Sequence, residues 1–191
     1  MPRRETRKNP IRSEEALKNI ALNYVARFPC TTDKLRKHLA KKMREALDAN
    51  EAQPGDGRRW IDAVVATLTR VKLLDDSSFA DARAMTLHRR GRATSLIVRD
   101  LAQRGAPGAA IAHARQSLSD ACDNPDLTAA ARLAKKKKLG PFATTQPLSH
   151  DIRRKHLATL ARGGFSFDIA RKVIDAKDSD AVAAIVALAA Y

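Results

Sequence analysis

One short passage occurs three times along this chain, each time as a basic helix that ends at a turn and is followed by another helix. The copies are Leu35-Arg36-Lys37-His38-Leu39-Ala40-Lys41-Lys42, Ile97-Val98-Arg99-Asp100-Leu101-Ala102-Gln103-Arg104-Gly105 and His156-Leu157-Ala158-Thr159-Leu160-Ala161-Arg162-Gly163-Gly164-Phe165. In each, an apolar or amphipathic residue stands four positions before a leucine, so both project from one helical face while Lys and Arg fill the rest. Three helices of this size leave too much apolar surface uncovered alone, so neighbouring units must stack. The sequence therefore specifies an all-α fold, an elongated tandem array of three three-helix repeats closed by a short C-terminal helix.

The local signals place the elements. A flexible basic arm, residues 1–12, precedes Ser13, which is suited to cap a helix carrying Leu17, Ile20, Ala21, Tyr24, Val25 and Phe28 on one face. Pro29 ends it, and Thr31 or Thr32 caps a second helix with the apolar line Leu35, Leu39, Met43 and Leu47. After a loop over residues 48–57, a third helix buries Trp60, Ile61, Val64, Val65 and Leu68 and runs to Leu73 or Leu74. The second triplet opens at Asp75-Asp76-Ser77-Ser78-Phe79, with helices over residues 77–90, 94–104 and 107–119. In the third, Asp126 is the cap of a helix through Leu127, Ala130, Ala131 and Ala134. A loop over residues 140–147 leads to a helix over 149–162, and Gly163-Gly164 separates that from a last repeat helix opened by Ser166. The repeats thus span 13–74, 75–124 and 125–177. A closing apolar helix over 178–191, with Val182, Ile185, Leu188 and Ala189 on one face, is too short to cross a bilayer and is expected to pack on the last triplet, a partner contact being the alternative.

Charge names the class of partner. Thirty-six Lys and Arg against 21 Asp and Glu leave a net charge of +15, more than solubility requires, which points to nucleic acid or to a protein assembled on it. A generally adhesive, ribosome-associated protein has the same composition. The excess divides as +8, +1 and +6 over residues 1–74, 75–124 and 125–191, so the two ends carry the field. Cys30 and Cys122 stand apart with no Cys-x-x-Cys, which favours a reducing compartment and argues against zinc; with no signal peptide core, the expected location is the cytoplasm.

No enzyme motif is present: no Walker A, no Gly-x-Gly-x-x-Gly, no His-Glu-x-x-His and no Gly-x-Ser-x-Gly. Asp75-Asp76 reads as helix capping, because adjacent residues on a helix point apart and no carboxylate cluster accompanies them. His38, His88, His113, His150 and His156 read as surface or groove contacts, and Trp60, Phe165 and Phe167 as core. Neither a catalytic residue nor a cofactor or metal site is expected. What remains is basic: Arg36-Lys37 with Lys41-Lys42, Arg89-Arg90-Gly91-Arg92, Lys135 to Lys138, and Arg153-Arg154-Lys155, each able to neutralise phosphates in a salt-sensitive, sequence-independent way.

Leu73-Leu74-Asp75-Asp76-Ser77-Ser78-Phe79-Ala80, the stretch from Arg89-Arg90-Gly91 to Gly105, and Ala161-Arg162-Gly163-Gly164-Phe165-Ser166-Phe167-Asp168-Ile169 resemble the RecX family of recombination regulators. The resemblance runs from about Leu17 to Ile174. It implies a non-enzymatic protein that binds the RecA recombinase and its filament on single-stranded DNA, inhibiting ATP hydrolysis and strand exchange in recombination, DNA repair and the SOS response. A helical DNA-binding protein acting without a recombinase is the alternative. The charge asymmetry then assigns Arg89, Arg90, Arg92, Arg99 and Arg104 in the near-neutral middle triplet to the recombinase. It assigns Lys135, Lys136, Lys137, Lys138, Arg153, Arg154, Lys155 and Arg162 to single-stranded DNA, with duplex DNA as a further candidate.

Overall fold

The computed structural model describes residues 11–49, 57–144 and 147–188. Most of the basic arm, the centre of the 48–57 loop, residues 145–146 and residues 189–191 lie outside that range, as do the expectations placed on them. Among the described residues the secondary structure is entirely helical: α1 (Glu14–Val25), α2 (Thr32–Asp48), α3 (Gly57–Arg70), α4 (Asp76–Arg89), α5 (Thr94–Gln103), α6 (Gly108–Ala121), α7 (Pro125–Lys137), a 3-10 turn (Gly140–Phe142), α8 (His150–Arg162), α9 (Phe167–Ile174) and α10 (Ser179–Leu188). The chain forms two compact units, residues 1–79 with 104–106, and residues 80–103 with 107–191.

In the first unit α1, α2 and α3 pack on one another. Leu17 and Ala21 of α1 meet Leu35, Leu39, Met43 and Ala46 of α2 and Val64, Val65 and Leu68 of α3, with Ile11 and Leu74 closing the ends. Each leucine buried to this degree contributes roughly 1.5–3 kcal/mol of transfer free energy. Two expected members of this face are outside it. Helix α1 stops at Val25, so Phe28 falls in the following turn and is 56% exposed, its ring against Tyr24 at 5.4 Å. On α2 the stripe turns inward at Ala46, which leaves Leu47 36% exposed. Helix α3 ends at Arg70, three residues before the expected stop, because Lys72 adopts a left-handed conformation (φ 59°) and the N–H groups of Leu73 and Leu74 fold back to the Leu68 carbonyl.

The second unit has Ala80, Ala84 and Leu87 of α4, Ile97 and Leu101 of α5, and Ala110, Ala114 and Leu118 of α6 buried. Helix α7 is buried almost all round through Leu127, Thr128, Ala129, Ala130, Ala131 and Ala134. Its alanines let α8, α9 and α10 come close to its axis. Leu160, Phe165, Ala170, Val173 and Ile174 complete that core. Helix α10 lies on α7 with Val182 buried and Ile185 against the same cluster. Phe165 is core, whereas Phe167, the first residue of α9, is 63% exposed.

One joint occurs in both units. The backbone N–H and the hydroxyl of Thr32, at the start of α2, donate to the Asp76 carboxylate at 2.8 and 2.7 Å; those of Thr94, at the start of α5, donate to Asp126 at 2.7 and 2.7 Å. Beside each pair a hydroxyl holds the turn of a later helix pair: Thr31 Oγ1 donates to Arg104 O at 2.6 Å, and Ser95 Oγ to Gly164 O at 3.2 Å. Both turns need glycine. A Cβ on Gly105 (φ +75°) would stand 2.1 Å from Asp33 Oδ2, and one on Gly164 (φ +89°) 2.8 Å from Leu96 Cγ. The N-termini of α2 and α5 are therefore capped in part from outside, by Asp76 of α4 and Asp126 of α7, while Thr31 Oγ1 accepts the Lys34 N–H as the N-cap of α2. This corrects the reading of Asp126 as the cap of its own helix. Asn124 caps α7 through Leu127 N–H at 3.0 Å, and Asp126 serves α5. Asp75 caps α4 through the N–H groups of Ser77 and Ser78, bonds that hold its carboxyl below the usual carboxylate range.

Candidate nucleic-acid interface

Within the second unit, α4 and α8 end in the same motif. Arg92 N–H bonds Leu87 O and Gly91 N–H bonds His88 O around Gly91 at φ +78°; Phe165 N–H bonds Leu160 O and Gly164 N–H bonds Ala161 O around Gly164. This six-to-one and five-to-two pairing is the Schellman arrangement, which closes a helix while turning the chain sharply. In the first case it places Arg90 and Arg92 on either side of a glycine whose Cβ position lies 2.9 Å from the α7 backbone at Leu133 N. The α4–α5 turn thus rests directly on α7.

Between these turns lies a groove of about 780 Å³. Leu87, Gly91, Leu96 and Leu133 line it together with Arg90, Arg92 and Arg99 from the α4–α5 turn and α5, and Lys136, Lys137, Thr159 and Arg162 from α7 and α8. Arg83 and Asp100 also line it as a bidentate pair, at 2.9 and 3.0 Å, which ties α4 to α5. Among the described residues, Arg90, Arg92, Arg99, Lys136 and Lys137 have no carboxylate within ion-pair distance, and Arg162 bonds only Ala158 O and Thr159 Oγ1.

The groove unites three residues from each of the two sequence-assigned sets: Arg90, Arg92 and Arg99 from the recombinase set, and Lys136, Lys137 and Arg162 from the DNA set. The others are elsewhere. Arg89 is exposed at the end of α4 outside the groove. Arg104 sits in the turn whose carbonyl takes the Thr31 hydroxyl. Lys135 faces a second groove of about 530 Å³ between α7 and α10. Lys138 is the left-handed residue that ends α7. Arg153 makes a bidentate pair with Asp175 at 2.6 and 2.5 Å, which lowers the Asp175 pKa and raises its own. Arg154 pairs with Asp151 at 3.3 Å, and Lys155 is exposed on α8.

Several basic residues away from the groove are matched by carboxylates. Lys37 pairs with Asp33 at 2.7 Å, Lys42 with Glu45 at 2.8 Å and Arg36 with Asp62 at 3.5 Å. Of the histidines read as surface contacts, two are structural. His88 is buried, its Nε2–H donating to Pro125 O at 2.7 Å and its Nδ1 accepting from Arg132 at 3.3 Å. His156 Nδ1 accepts the Gly140 N–H at 3.0 Å. Among the described residues no three His, Cys, Asp or Glu side chains gather as metal ligands, and no helix is long and apolar enough to cross a membrane. Sequence reasoning missed Arg83, Asp100 and the lining leucines, since nothing in one sequence reveals that residues 83 and 100 face each other across a turn.

No protein-family model matches the chain. A regulatory protein RecX from Myxococcus xanthus is 37% identical over 160 residues, covering 83% of this chain and 84% of its own length. The chain belongs to the RecX family. A second RecX, from Agrobacterium fabrum, is 27% identical over 82% of this chain and 80% of its own. The crystal structure of RecX from Lactobacillus salivarius superposes with a TM-score of 0.61 at 18% identity, over 85% of this chain and 94% of that one, so the all-α RecX fold is shared. The Gly91 and Gly164 turns of this RecX chain both lie in the segments whose motifs pointed to the family.

Proposed function

We propose that this chain is a non-enzymatic regulator in the cytoplasm that binds the RecA recombinase on single-stranded DNA and lowers its ATP turnover and strand exchange, acting in recombination, repair and the SOS response. RecX-family membership supports the regulatory part, and the groove supports contact with the nucleoprotein. The observation that carries most weight is the gathering of unneutralised Arg and Lys side chains from the α4–α5 turn, α5, α7 and α8 around one concavity, while the Arg36-Lys37 and Lys41-Lys42 cluster on α2 and Arg153 and Arg154 on α8 are paired. Arg89 and Arg104, outside the groove, are the arginines we assign to acidic recombinase surface. The helices group as three repeats, 13–74, 75–124 and 125–177, followed by the closing helix.

Titrating the full chain into recombinase and single-stranded DNA should reduce ATP turnover in proportion to the chain bound. Turnover unchanged at one chain per recombinase protomer would overturn the regulatory reading.

A further inference from the structure

We propose that the groove of the second unit is a base-blind site for a chain of phosphates, one that inorganic polyphosphate fills as readily as a nucleic-acid backbone. This deepens the regulatory reading at the same groove, and the binding measured below needs no recombinase, so the two can fail separately.

Three observations converge. First, Arg90, Arg92, Arg99, Lys136, Lys137 and Arg162 approach one concavity from two sides, and the single lining carboxylate, Asp100, is already held by Arg83. Like charges gathered around one concavity, with Leu87, Leu96 and Leu133 among its lining, repel one another and focus a positive field, which a polyanion relieves. Second, a volume of about 780 Å³ falls within the roughly 300–1,000 Å³ of ordinary ligand sites and is ample for several linked phosphates. Four of the six cations are arginines, whose planar forks grip phosphate oxygens in pairs.

Third, no aromatic side chain lines the groove. Single-strand binders that hold bases do so by stacking them on aromatic rings, worth roughly 1–3 kcal/mol per base. Here Phe165 is buried in the core, and neither Trp60 nor the exposed Phe167 is among the lining residues. Bases would meet leucines, Gln103, Thr159 and the cations themselves, with no aromatic ring to stack on, so the backbone supplies the recognition.

The test is competition for fluorescent oligothymidylate bound to the full chain at low salt. Equal phosphate concentrations of an abasic sugar-phosphate strand and of inorganic polyphosphate should each displace it to within about a factor of three of unlabelled oligothymidylate, because backbone charge dominates such binding. Polyglutamate of matched charge should be at least about tenfold weaker, because each carboxylate hangs on a flexible side chain that must be ordered on binding, whereas the phosphates are part of the chain itself. Failure of the abasic strand would show that bases are read. Failure of polyphosphate alone would show that sugars are read. Equal competition by polyglutamate would make the groove a seat for acidic protein. R92Q/K136Q/K137Q should reduce the steepness of the log affinity against log salt plot by roughly 2, about 0.7 for each lost contact to a single strand. K37Q/K41Q/R154Q, on paired clusters, should leave it nearly unchanged. Equal effects in the two triple variants, with helicity intact by circular dichroism, would mean that the field of the whole surface binds and that the groove is not a site.

Discussion

His88 is held neutral by where it sits. Burial is the largest cause of its lowered pKa; the Pro125 carbonyl opposes the shift, the neighbouring Arg132 guanidinium reinforces it, and Asp126 opposes it. Protonation would add an N–H at Nδ1, where the ring now accepts from Arg132. With the folded pKa below the unfolded value of about 6.5, the folded state binds fewer protons. The neutral ring's full contribution to stability is present above that value and declines as pH falls below it, until the folded pKa is passed. Denaturant midpoints at pH 7.5 and 5.5 should therefore differ more in the native chain than in His88→Gln, which keeps a donor toward Pro125 but cannot titrate. An identical acid loss in both would mean that His88 does not carry the effect; His38 and His156, also lowered mainly by burial, would then be its source. The position was readable in part. Ala80, Ala84, Leu87 and His88 form one buried helical stripe, a periodicity that the reading of His88 as a surface or groove contact passed over.

Among the elements, α2 and α5 depend on carboxylates far along the chain, Asp76 and Asp126, for part of their N-terminal capping. An aspartate at that place accepts a free N–H and sits at the positive end of the helix dipole, so its loss should cost what a lost N-cap costs, about 0.5–2 kcal/mol. Asp126→Ala should lower stability by that amount, while Asp123→Ala, exposed and outside the joint, should stay within about 0.5 kcal/mol of the native chain. Urea unfolding followed by circular dichroism reads both, and a Thr94→Val/Asp126→Ala double mutant should lose less than the two singles together because they share bonds. Helix existence was legible here because spacing and caps are local. The identity of the cap was not: Asp126 stands beside a helix start and looks like its own cap, and only folding brings Thr94 to it.

On the scale of the whole molecule, the net charge of +15 is only a reservoir, and convergence together with pairing decides where it concentrates. Lys37, Lys42 and Arg153 look in the sequence like the groove's lysines and arginines, yet each has a carboxylate at 2.8 Å or less. Exposed pairs of this kind add little stability, a median of about 0–1 kcal/mol, but they lower the local field. Affinity for single-stranded DNA should fall steeply between about 50 and 200 mM salt in the native chain. Much of that fall should be missing in R92Q/K136Q/K137Q; fluorescence anisotropy across the salt series decides, and parallel curves would contradict it.

The residues alone determined the all-α class, most helix positions, the glycine turns and the resemblance to RecX, because helical periodicity, caps and left-handed turns are written within a few neighbouring positions. The groove was a matter of tertiary structure. Arg90 and Lys136 lie 46 positions apart, and the sequence placed them in different sets because charge counted along a chain cannot report which cations converge. Packing of the Gly91 turn on α7 brings them to one concavity, while Asp175 takes Arg153 out of the reckoning.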